Sequence, residues 1–200
     1  MRLHDFTGSG NGHKVRLLLS NLGQEYELIE HNILNGETHT ADFLARNPGG
    51  KIPVLETDDG KHLPESNAIL WYLAEDTAFM PKDAWGRAQA LRWMFFEQYS
   101  HEPYIAVARF WLHFVDMTPE QKIQLSEKQD RGNQALEIME QHLAAHDWFA
   151  GDNYSIADIA LYGYTHVAGE GGFDLGKYPS IKSWLLRIES QKGHIAMEPH

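Results

Sequence analysis

The sharpest constraint in this chain is a change of period. Over roughly its first 80 residues, strand-like and helix-like patterns alternate; from Trp85 onward the strand signal all but vanishes. Residues 2–6 alternate apolar and polar, as a half-buried strand does. Residues 14–22 place Val15, Leu18, Leu19 and Leu22 at helical spacing, and Gly23 supplies the stop. Residues 26–33 alternate again. Residues 41–46 predict a short helix ended by Asn47-Pro48-Gly49-Gly50. Residues 53–57 and 61–63 flank Asp58-Asp59-Gly60, a hairpin signal, and residues 65–75 are helical. The order is β-α-β-α-β-β-α. Beyond it come a long aromatic helix over 86–115 interrupted at Pro103, a second over 119–146 opened by Thr118-Pro119-Glu120, and two more over 155–166 and 179–191. The expectation is an α/β domain over 1–78, a linker over 79–84 containing Pro81, and an all-helical domain over 85–200.

Composition removes whole classes of function. The 200 residues carry a formal net charge of -11, the wrong sign for gripping a phosphate backbone or an anionic bilayer. There is no cysteine, so disulfides, thiolate metal sites and a cysteine nucleophile are excluded. No apolar run has the length of a membrane span, and Met1 leads directly into a strand-like segment with no signal-peptide pattern. The expected setting is cytoplasmic, with neither nucleic acid nor membrane as partner. The histidines show no ligand spacing: His101-Glu102 would need histidine where Ile105 stands, so no metal is expected.

Thr7-Gly8-Ser9-Gly10-Asn11-Gly12-His13-Lys14 joins the first strand to the first helix. Read as a dinucleotide fingerprint, its third glycine comes one position early, His13 occupying the required place, although Glu30 sits where a ribose-binding acid would. Read as a P-loop, its spacing fails and Lys14 is followed by Val15 instead of Ser or Thr. What remains is a helix N-terminus able to hold another anion, with Ser9 and Asn11 adding side-chain donors. The same residues would serve equally as plain helix caps.

Two further stretches carry the argument. Asn47-Pro48-Gly49-Gly50-Lys51-Ile52-Pro53-Val54-Leu55 sets a proline at the entry to a strand, where a cis Ile52–Pro53 bond would leave the Ile52 backbone open to a ligand. In Leu63-Pro64-Glu65-Ser66, an acid and a hydroxyl stand where a strand gives way to a helix. That pair suits the carboxylate and ammonium of an α-amino acid, or merely a cap and its dipole partner.

Together the stretches S-x-N-x-x-K-V-R (Ser9 to Arg16), N-P-x-x-K-I-P-x-L (Asn47 to Leu55) and E-S-x-A-I-x-x-Y-L (Glu65 to Leu73) resemble the thioredoxin-like domain of the cytosolic glutathione S-transferases. S-I-A-D-I-A (Ser155 to Ala160), a capping-box pattern, and P-S-I-K-S-W (Pro179 to Trp184) resemble that family's helical domain, so the likeness spans essentially the whole chain. The resemblance implies a glutathione site: Glu65 and Ser66 for the γ-glutamyl group, the Ile52 backbone ahead of Pro53 for the cysteinyl unit, Lys51 for a polar contact, and His39 for the glycyl carboxylate. A tyrosine-type enzyme would carry Tyr near the end of the first strand, where Asp5 and Phe6 stand. Ser9 stands at the serine-type position, and Thr7 and Asn11 at positions some bacterial relatives use. Tyr104, Arg109 and Trp111, past the Pro103 break, are the candidates for an electrophile pocket.

The implied reaction lowers the pKa of bound glutathione and adds its sulfur to a small electrophile, with glutathione as co-substrate, no metal, and a homodimer as the assembly. The alternatives are a glutathione-dependent peroxidase or disulfide reductase, and a binding protein without chemistry. The energetics suffice. Lowering a thiol pKa by about 2 units takes roughly 2.7 kcal/mol. One charge-assisted hydrogen bond supplies about 1.5–3 kcal/mol and a helix dipole up to about 1.

Overall fold

A computed structural model describes residues 1–197 and divides the chain into two compact units. The first is Met1–Thr77 together with the C-terminal segment from Gln191; the second is Ala78–Ser190.

The first unit is a four-stranded mixed sheet in the order β2-β1-β3-β4, with β1 (Arg2–Asp5), β2 (Glu27–Glu30), β3 (Val54–Glu56) and β4 (His62–Pro64). β1 runs parallel to β2 and antiparallel to β3, which pairs antiparallel with β4. This is the thioredoxin-like arrangement expected. Alternation along β1 sends Leu3, paired with Leu55, to one face and Arg2 and His4 to the other. On the second face Glu56 receives Arg2 and, at 3.0 Å, His4, whose other ring nitrogen lies 2.9 Å from His31. Phe43 of α2 (Ala41–Arg46) packs edge-on against both imidazoles. The remaining helices of this unit, α1 (Gly10–Leu22) and α3 (Ser66–Ala74), pack on each other.

Two boundaries differ from the sequence reading, each for a local reason. Helix α1 begins at Gly10, not Lys14: Ser9 caps it, so the glycine-rich stretch forms the first turn of the helix. Strand β2 stops at Glu30, because Asn32 accepts from the Leu34 and Asn35 N–H groups and turns the chain into a short 3-10 segment.

The second unit is helical: α4 (Ala84–Phe96), α5 (Glu102–His113), α6 (Pro119–Leu143), α7 (Ile156–Thr165) and α8 (Pro179–Glu189). A π-turn over Glu97–His101 separates α4 from α5, so the break precedes Pro103, which sits in the first turn of α5 where its missing N–H is harmless. Thr118 and Gln121 form a reciprocal capping box at the start of α6. The box read at Ser155 and Asp158 is present, and its acid does more. Asp158, fully buried, accepts from the Ser155 N–H and hydroxyl, the Phe149 N–H and the Trp184 indole, all at 3.0–3.1 Å. Trp184 packs edge to face on Phe149, and Phe149 in turn on Trp93.

Candidate active site

Three segments of the first unit carry the residues the sequence singled out. At the start of α1, Ser9 has extended backbone and its Oγ accepts from the Gly12 N–H at 3.4 Å. A hydroxyl that accepts in a cap still owns its proton, so capping and donation to an anion are compatible. Asn11 Oδ1 accepts from Lys14 Nζ at 2.6 Å and from Ser66 Oγ, on α3, at 3.1 Å. Ser9, Asn11 and Ser66 are thus gathered around one helix N-terminus, and Lys14 lies wholly buried beneath it. Thr7 is engaged elsewhere: its N–H and hydroxyl both donate to Glu30 Oε1, at 2.9 and 3.1 Å. The acid that mimicked a ribose ligand in the sequence instead ties down the loop.

The second segment is built by Asn47. Its amide donates to the Lys51 carbonyl at 2.7 Å and its oxygen accepts from Gly49 N–H at 2.9 Å. Gly50 is left-handed with φ 61, and a side chain there would press on the His39 ring, 3.2 Å from the Cβ position. His39 therefore lies against this loop. The Ile52–Pro53 bond is cis, and among the described residues none hydrogen-bonds the Ile52 backbone. Lys51 is exposed. In the third segment Glu65, exposed and left-handed with φ 73, immediately precedes the buried Ser66 that opens α3.

The three residues picked from the helical unit part company. Arg109 is buried, with Nε 2.6 Å from Glu170 Oε2 and its guanidinium over the Phe114 ring. Tyr104 and Trp111, two turns apart on α5, both face Lys128 of α6, and Arg131 also lies over Tyr104. Among the described residues no group of His, Asp or Glu is placed to hold a metal, and no helix is long and apolar enough to cross a membrane.

Sequence reasoning overlooked a buried ion pair under the α1 N-terminus. Asp5 Oδ2 lies 3.4 Å from Arg16 Nε, and Arg16 also donates to the Thr7 carbonyl at 2.7 Å. Its only signal was a pair of charges set among apolar neighbours at the end of a strand and on the inner face of a helix. Burial pushes the Asp5 carboxyl up from 3.8 to about 7; Arg16 opposes this and Glu30 adds to it. The folded protein thus binds this proton more tightly than the unfolded chain, so the stabilisation is complete below about pH 4 and is lost as pH rises through about 7. Burial also raises Asp158, to about 6, which contributes over the lower part of that range. Stability from urea denaturation is expected to fall between about pH 4 and about pH 7, and Asp5→Asn to flatten the upper part of that slope. An unchanged slope in Asp5→Asn would exclude Asp5 as its origin.

Comparison with known proteins bears on the family and the fold. Residues 1–75 match the model of the glutathione S-transferase N-terminal domain, and residues 93–192 that of the C-terminal domain. The chain is 31% identical over 193 residues to the disulfide-bond oxidoreductase YfcG of Escherichia coli, covering 93% of this chain and 89% of that one. A crystal structure of a glutathione S-transferase from Pseudomonas fluorescens superposes with a TM-score of 0.96 at 49% identity, covering 99% of this chain and 98% of that one. A Burkholderia graminis glutathione transferase, solved with two glutathione molecules bound per subunit, superposes with a TM-score of 0.83 at 29% identity, over 96% and 84% of the two chains.

Proposed function

Since the chain belongs to the glutathione S-transferase family, we propose that it binds glutathione in its first unit, lowers the pKa of the bound thiol, and delivers the thiolate to an electrophilic small molecule. The observation that carries this reading is the convergence of Ser9, Asn11 and Ser66 at the N-terminus of α1. Glu65 and Ser66 take the γ-glutamyl group, the Ile52 backbone takes the cysteinyl unit, Lys51 makes a polar contact to the peptide, and His39 takes the glycyl carboxylate. The sulfur then lies near Ser9 and Asn11, where a hydroxyl, an amide and the helix dipole favour the anion. The thiolate is the nucleophile, so more of it at neutral pH means a faster reaction without a general base or metal. Thr7, whose hydroxyl is spent on Glu30, serves the loop in place of the sulfur.

A second reading is reduction of a disulfide or hydroperoxide. Two of the similar curated proteins are named as disulfide-bond oxidoreductases, at 31% and 30% identity. This chain has no cysteine, so any thiol chemistry must use the thiolate of glutathione, the same species conjugation needs. A cysteine-free chain using reduced glutathione suits the cytoplasm. Tyr104 and Trp111 would face the second substrate, while Arg109 is engaged by Glu170. The chain would work as a homodimer: Trp85, Leu91, Phe95 and Tyr99 stand exposed on α4 and the turn after it, an apolar row that a second copy could cover.

The test is a titration with glutathione that follows thiolate absorbance against pH, for the wild type and Ser9→Ala. The expected result is a bound thiol pKa about 2 units below its free value of about 8.5, rising by about 1 unit or more in Ser9→Ala. Tight binding with an unshifted pKa would make the protein a binder. With the pKa shift in hand, turnover of an aryl halide against that of a mixed disulfide separates conjugation from reduction.

A further inference from the structure

Lys14 is fully buried, which is costly for an ammonium unless its hydrogen-bonding needs are met. One turn along α1, the fold gives it Asn11 Oδ1 at 2.6 Å. An ammonium has three donors and no acceptor, so the end of the Asn11 amide that faces it must be the oxygen. That settles which way the amide points and turns its NH2 end away from Lys14. Ser66 Oγ reaches the same oxygen from α3 at 3.1 Å, so two elements hold one side chain.

The two holders are not equivalent. On the functional reading above, on which this inference rests, the Ser66 hydroxyl is also wanted by the γ-glutamyl carboxylate of glutathione. A hydroxyl has one proton; when it turns to the ligand it lets go of Asn11. Lys14 is wholly inside the protein, out of the reach of solvent. We infer that Lys14 is a positioning residue for thiolate formation: through the Asn11 oxygen it keeps the amide set with its NH2 end toward the sulfur while glutathione occupies the site. A displaced amide would rotate its oxygen toward a sulfur anion, turning an attractive contact into a repulsive one.

The experiment measures two quantities for each variant: the thiol pKa of bound glutathione, and the affinity for S-methylglutathione, which fills the site but has no thiol to ionise. Lys14→Met is expected to raise the bound thiol pKa by about 1–2 units while weakening S-methylglutathione less than about threefold. Lys14→Gln, which keeps an N–H donor but no charge, is expected to recover most of the lowered pKa, as bare charge would not. In an Asn11→Ala background, Lys14→Met should add little, because the two act as one unit. An unchanged thiol pKa in Lys14→Met would overturn the inference. Equal loss of both ligands would do so too, since that is the mark of a merely structural lysine. Should Lys14→Met fail to fold, Asn11→Ala decides: it must raise the pKa by as much, and an unshifted value removes the amide, and Lys14 with it, from the mechanism. The wild type judges the functional reading separately, because a protein that never lowers the thiol pKa fails there before any variant is compared.

Discussion

Asp158→Ala is expected to cost the helical unit about 4 kcal/mol, a drop in Tm of roughly 8–16 °C. The carboxylate is fully buried and accepts four hydrogen bonds, from the N–H and hydroxyl of Ser155, the N–H of Phe149 and the indole of Trp184. The Ser155 hydroxyl can turn to another acceptor, but the three N–H groups cannot. Each buried donor left unmet costs about 1–3 kcal/mol, and the losses overlap because the site relaxes as a whole. Asp158→Asn keeps one acceptor oxygen for Phe149 and Trp184 but turns an NH2 group on the Ser155 N–H, so about half the loss is expected. Urea denaturation followed by tryptophan fluorescence checks both, since Trp184 is itself part of the node. A loss below about 1 kcal/mol for the alanine variant would mean that water replaces the carboxylate, and that the node is not what joins the start of α7 to α8.

Gly12→Ala is expected to destabilise the first unit by more than about 3 kcal/mol, or roughly 10 °C in Tm, and to abolish glutathione binding. A Cβ at position 12 would lie 1.7 Å from Asp5 Oδ1 and 2.1 Å from its Cγ. Asp5 is wholly buried on β1 and cannot retreat without abandoning Arg16. The helix must therefore lift, taking Ser9 and Asn11 with it. The collision has a signature in a double variant. Asp5→Ala alone strands a buried arginine and costs about 3–5 kcal/mol. Adding Gly12→Ala to it should cost almost nothing more, because the atoms it would strike are gone. Additive losses would show that Gly12 matters for another reason, such as its backbone freedom.

What could be read in the sequence was what is local. The alternation of periods, the Asp58-Asp59-Gly60 hairpin and the Ser155–Asp158 box each depend on neighbours within a few positions, and each is where the pattern put it. The start of α1 was misread because glycine scores as a helix breaker. Here glycine stands inside the helix because Asp5, seven residues earlier, leaves no room for a side chain at position 12, while the Ser9 cap starts the helix before it. Arg109 was read as a pocket residue because it lies past the Pro103 break; its partner Glu170 is 61 residues away, beyond the reach of any local pattern. Lys14 entered the sequence reading only through the rejected P-loop spacing and the S-x-N-x-x-K-V-R stretch, neither of which shows that it is buried. Its burial follows from the way α1 lies on the sheet and on α3, which no window of sequence contains.

The segment after Gln191 returns to the first unit and lies along α1. The His13 ring donates to the Ile195 carbonyl at 3.0 Å, Asn21 donates to the Lys192 carbonyl at 3.1 Å, and Gly193 sits against the Ser20 backbone. During synthesis the sheet and α1 emerge first, yet the residues that cover the back of α1 are made only after the whole helical unit. The first unit is therefore made before the helical unit and finished after it, and the face of α1 covered by this segment waits until translation has passed residue 190. The same order sets a rule for dissection. A fragment cut at Thr77 leaves His13 facing water where a carbonyl belongs, whereas a circular permutant that carries residues 191–197 ahead of Met1 would make the first unit continuous.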